Sequence, residues 1–125
     1  MPKLLSALIM IFGLVCCLIA LGHIVFGPAI IPGSIPVNAT MDSEDRFYAT
    51  LFLGFGAALM WCSRDLQTQD ALFGALLVTF FLSGVSRIVS AVAVGWPNQL
   101  FVLLGALELA LPPLFWSWHR FTPRQ

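Results

Sequence analysis

Arg87 and Glu108 are the two residues whose type and position most directly suggest chemistry, because each interrupts an apolar run long enough to cross a bilayer. An ionised side chain in hydrocarbon is costly unless it is paired or turned toward an internal cavity, so the two point to a polar site between helices. A guanidinium beside a carboxylate has several uses. It can lock two helices as a structural ion pair, hold a ligand, proton or ion, or tune a glutamate acting as acid or base. The sequence leaves these uses open, and no residue is assigned a catalytic role. Three further residues belong to the same outer half: His23 near the end of the first apolar run, and Asp45 and Arg46 at the start of the second. The candidate polar site is therefore Arg87, Glu108, Arg46, His23 and Asp45. Each of the last three also has a plainer use, His23 as an interfacial residue and the segment from Asp42 to Arg46 as a helix cap whose acidic cluster complements the dipole.

The elements that must position these residues follow from composition. Of the 125 residues, 59% are hydrophobic and 10% charged, and the mean hydropathy is +0.93, which marks a membrane protein. With spans of about 20 residues, the chain has room for four helices. Backbone groups in lipid must be satisfied within their own segment, so the expected fold is all-α, an integral membrane four-helix bundle forming a single transmembrane domain over residues 1–125. The helices are expected at about 4–26, 43–62, 71–94 and 99–118. The first is too long in its apolar core for a cleaved signal and is read as a retained anchor. In the second only Phe47 to Trp61 is purely apolar, which puts Arg46 near the membrane boundary. Six basic and six acidic residues cancel and no basic run occurs, so nucleic acid is excluded as a partner.

Placing both termini in the cytoplasm gives the inner side Lys3, Arg64, Arg120 and Arg124 and the outer connections only Arg46, as the positive-inside rule prefers. Trp61, Trp116 and Trp118 then lie at inner helix ends, and Trp96, Phe26 and Tyr48 at outer ones. Gly95-Trp96-Pro97-Asn98 makes a tight outer turn, so helices three and four run antiparallel. Arg87 and Glu108 then lie at matching depths of about 10 to 12 Å below that turn. Pro112 and Pro113 remove the donors for the carbonyls of Glu108 and Leu109 and should kink the fourth helix, and Arg87 has enough N–H groups to serve both the carboxylate and a freed carbonyl. Ser83, Ser86, Ser90 and Thr50 extend a polar seam or, as with Gly54, Gly56, Ala57 and Gly105, let helices approach closely. The outer loop 27–41 is apolar and carries Pro28, Pro32 and Pro36, so it is expected in the outer interface or folded as a lid over the bundle mouth. Asn38-Ala39-Thr40 fits a glycosylation acceptor pattern, one common by chance. Cys16, Cys17 and Cys62 have no metal-ligand spacing and read as packing residues; no metal site and no cofactor is expected.

The order Glu44-Asp45-Arg46-Phe47-Tyr48, Gly54-Phe55-Gly56, Ser83-Gly84-Val85-Ser86-Arg87 and Glu108-Leu109-Ala110-Leu111-Pro112 resembles the small bacterial membrane family known as domain of unknown function 4345 (DUF4345). The resemblance covers nearly the whole chain. It implies four membrane helices, with Arg46, Arg87 and Glu108 at pattern positions, and supplies no reaction. A more distant likeness to small four-helix membrane proteins of the DoxX type is architectural only. The expected function is a non-enzymatic accessory or binding protein of a bacterial inner membrane. It would hold a hydrophobic or amphipathic small molecule, or dock with a larger membrane complex through its apolar faces. The alternatives are an intramembrane enzyme acting on a lipid or isoprenoid-like substrate, and an oligomeric small-molecule transporter.

Overall fold

The computed structural model describes residues 2–121. Four long helices run α1 (Pro2–Phe26), α2 (Ala39–Ser63), α3 (Asp70–Val94) and α4 (Gln99–Phe121), with a short 3-10 turn, Gly27–Ile30, after α1. No strand occurs among the described residues, so the all-α class expected from composition is the observed one. The helices α1, α3 and α4 are long and apolar enough to cross a membrane. At 1.5 Å per residue, their 23 to 25 residues reach about 35 Å, more than the hydrocarbon thickness. Helix α2 is as long, but its first turns are charged.

The chain clusters into two compact units. One is Ser6–Arg64, and the other is Asp65 onwards together with the first residues of the chain. In the first unit, α1 and α2 meet at two glycines: a Cβ added to Gly13 would lie 2.7 Å from the Gly56 carbonyl oxygen, and one added to Gly56 would lie 2.7 Å from that of Gly13. Two backbones in direct contact admit no side chain. Gly56 was expected to pack in this way. Gly54, grouped with it from sequence, has no neighbour within 4 Å of a built Cβ, because it faces away from α1.

Helix α2 begins four residues before the expected Ser43. Its cap is Asn38, whose side-chain oxygen accepts from the Met41 N–H at 2.9 Å. This corrects the expectation that Asp42 or Ser43 would cap the helix; both lie inside it, where Asp42 still complements the dipole of the first turn. The apolar connection is correspondingly shorter. Gly27 and Pro28 are buried in the 3-10 turn, while Ile35 is 76% exposed.

In the second unit, α3 and α4 form an antiparallel hairpin. Gly95 ends α3 with φ +113, a left-handed value that favours glycine. The Asn98 side chain then accepts from the Leu100 N–H at 3.0 Å and starts α4. The buried and contacting residues of the hairpin fall at intervals of four, seven and three on α3 (Phe73, Leu77, Gly84 and Arg87) and alternately of three and four on α4 (Gly105, Glu108, Pro112, Phe115 and His119). This is the spacing of left-handed, knobs-into-holes packing. Helix α4 stays helical through Pro112 and Pro113.

Candidate functional site

Arg87 and Glu108 face one another across this hairpin. The Arg87 Nε donates to Glu108 Oε2 at 2.6 Å, with the carboxylate side chain 8% exposed and the guanidinium side chain 40% exposed. Small residues make the approach possible. A Cβ on Gly84 would meet Leu109 at 2.9 Å and the Glu108 Cβ at 3.1 Å, and one on Gly105 would meet the Arg87 Cδ at 3.3 Å. Gly84 thus admits the glutamate-bearing turn of α4, and Gly105 leaves a channel along which the arginine stem lies. The Arg87 guanidinium carbon also sits 5.7 Å from the centre of the Phe101 ring, a cation–π distance. The depth match expected from the hairpin is therefore a direct ion pair. Its donor goes to the carboxylate; among the described residues no bond from Arg87 to a proline-freed carbonyl is present.

Arg87 also lines a cavity of about 480 Å³, whose other walls include Ile88, Ala91, Trp96, Phe101 and Ala106. Among the described residues, all of the lining belongs to α3, α4 and their turn, and Arg87 is its one ionisable residue. Glu108 is not part of the lining; it lies behind the guanidinium.

Three other candidates gather in the first unit. His23 Nδ1 and Asp45 Oδ2 are 2.9 Å apart. Arg46 donates through Nε to Asp42 Oδ2 at 2.8 Å, and through Nη1 to the Ile24 carbonyl at 2.6 Å and the Val25 carbonyl at 3.3 Å. Helix ends leave their last carbonyls without intrahelical donors, and Arg46 supplies those of α1 from the neighbouring helix. Gly27 makes room: it has φ +72, and a Cβ there would lie 2.7 Å from Arg46 Nη2. Arg46 is thus a cap for α1 positioned by Asp42. Ser83, Ser86 and Thr50 each donate to a carbonyl of their own helix, Phe80, Ser83 and Arg46 respectively, which accounts for them without a site.

A further polar group had not been singled out from sequence. His119 Nε2 is 2.6 Å from Asp70 Oδ1 at the opposite end of the hairpin, and the histidine is 3% exposed. Its ring stands edge-on to Phe73, with centroids 5.2 Å apart and planes at 88°, and Arg120 Nη1 lies 4.0 Å from Asp70 Oδ2. Asp70 opens α3 and His119 closes α4, so each also sits at the helix end whose dipole favours it. The signal that would have found them is the three-four spacing, which carries on from Glu108 through Pro112 and Phe115 to His119. Cys16, Cys17 and Cys62 are free thiols. Among the described residues no three His, Cys, Asp or Glu side chains converge on a metal position.

The family model described as domain of unknown function (DUF4345) matches residues 4–119, nearly the entire chain. The chain belongs to this family. No curated protein and no solved structure matches it. The matched DUF4345 region spans both polar clusters and runs to His119, the last residue of the α3–α4 seam. Membership supplies no activity, so the chemistry has to be argued from the side chains.

Proposed function

We propose that this DUF4345 protein is a non-enzymatic membrane binding protein whose α3–α4 groove holds a hydrophobic or amphipathic small molecule. One observation carries the reading: a half-exposed guanidinium, neutralised from behind by a buried carboxylate, forms part of the wall of an otherwise apolar cavity. A cavity of about 480 Å³ is of ligand size, and a few polar groups among apolar walls are how such sites fix orientation. An acid–base enzyme would need Glu108 to touch the occupant, and the carboxylate is covered by Arg87. The proposal uses α3 and α4 alone; His23, Asp45 and Arg46 belong to the other unit, where Arg46 closes the end of α1. We place the protein in a bacterial inner membrane with both termini cytoplasmic, on the distribution of basic residues and the resemblance to a bacterial family. Docking to a larger membrane complex is compatible with an occupied groove.

The test is to fill the groove. Ala106→Phe adds bulk to an exposed position on its wall without adding a tryptophan, and binding of a lipid with a brominated chain is read by quenching of tryptophan fluorescence, with Trp96 in the groove as the reporter. The variant should retain its helical circular dichroism and lose binding by about tenfold or more, equivalent to about 1.4 kcal/mol. Unchanged quenching in a folded variant would remove the groove as the site.

A further inference from the structure

We infer that the occupant of this groove is an uncharged lipid whose head carries a carbonyl oxygen, an ester or ketone, held by the Nη groups of Arg87; this rests on the groove being the binding site. Of the three guanidinium nitrogens of Arg87, Nε is the one with a hydrogen-bond acceptor among the described residues, and that acceptor is Glu108. The Nη1 and Nη2 groups carry the remaining four of the five N–H donors. They belong to a side chain 40% exposed on the cavity wall, at a depth of about 10 Å below the outer turn. Water is scarce at that depth, and a donor left without an acceptor in an apolar medium is costly. The groove therefore selects a molecule that brings an acceptor.

The charge balance narrows the class. Arg87 and Glu108 sum to zero, and among the described residues no second ionisable residue lines the cavity. A phosphate or carboxylate head would bring a full negative charge into a neutral, apolar cavity, with the Glu108 carboxylate a few ångströms beyond the guanidinium it would share. A carbonyl oxygen satisfies the same donors and adds no charge. The apolar remainder of the wall, Ile88, Val92 and Phe101 among it, suits an alkyl or prenyl chain.

The experiment measures binding of three probes with equal chains to the purified full-length protein in detergent: dioctanoylglycerol, dioctanoyl phosphatidic acid, and the dioctyl glycerol diether, which lacks the carbonyls. The wild-type protein should bind dioctanoylglycerol about tenfold or more tightly than either of the others. Glu108→Gln leaves the guanidinium charge uncompensated and should reverse the order in favour of phosphatidic acid. Should that variant fail to fold, the wild-type ranking decides alone. Tightest binding of phosphatidic acid to the wild-type protein, or equal binding of the ester and the diether, overturns the inference. If Ala106→Phe still abolishes that binding, the groove itself stands; if Ala106→Phe leaves it unchanged, the groove fails as well.

Discussion

Glu108 is nearly buried and accepts one hydrogen bond from Arg87 Nε, so removing either partner leaves the other without its polar contact. Glu108→Gln should lower stability by about 1–3 kcal/mol, short of the cost at a fully buried pair because Arg87 is partly exposed. The double variant Glu108→Gln with Arg87→Met should recover part of that loss. Thermal unfolding of the four proteins in detergent gives the coupling, and strictly additive losses would show that the two side chains do not depend on one another. Sequence revealed this pair because two charges broke two apolar runs at equal distances from one turn. Asp70 and His119 stayed hidden because they fall one residue outside the apolar runs 71–94 and 99–118, where a polar residue looks like an ordinary interfacial one. Only the antiparallel register brings them together across 49 positions of chain. Asp70→Asn keeps the shape and removes the charge, and should cost about 1 kcal/mol. The cost should be visible as faster amide exchange in the last turn of α4 and unchanged exchange near Gly95.

Within each unit the two long helices are brought together by glycines, at different places. In α1 and α2 the contact is backbone on backbone at Gly13 and Gly56; in α3 and α4 it is backbone against the stems of Glu108, Leu109 and Arg87. Gly56→Ala puts a methyl group into the Gly13 carbonyl, and the melting temperature should fall with a loss of about 1–3 kcal/mol. Gly54→Ala, with open space around the added carbon, should be neutral or slightly stabilising, since alanine is favoured over glycine inside a helix by about 1 kcal/mol. Equal effects at the two positions would contradict the Gly13–Gly56 crossing. Composition alone puts Gly54 and Gly56 on the same footing; the face of α2 turned toward α1 separates them. Asn38 shows the same division. Its acceptor oxygen is legible as a potential cap, but the acidic run that follows offered several candidates, and the observed start of α2 selects one.

Orientation across the bilayer is read from charge. If both termini are cytoplasmic, as proposed, the inner side holds Lys3, Arg64 and Arg120 and the outer side Arg46, the distribution that the positive-inside rule prefers; Arg124, counted with the inner group, lies outside the described residues. Reporter fusions at the two ends of the chain should both report the cytoplasmic side, and a reporter inserted at the Trp96–Pro97 turn the opposite one; termini on opposite sides would mean that α2 does not cross. The length and apolarity of the runs by themselves determined the helical class, the number of helices and their limits to within a few residues, because unpaired backbone groups are intolerable in lipid whatever the side chains do. The presence of Arg87 and Glu108 in such runs determined that a polar contact had to exist. Tertiary structure decided what sequence distance conceals: that Nε and not Nη meets the carboxylate, that Arg46 closes the end of α1, that His119 meets Asp70, and that a groove opens beside Arg87. Each depends on the rotation of one helix about its axis relative to its neighbour, which is set by how glycines and bulky side chains interlock rather than by the hydropathy of either helix.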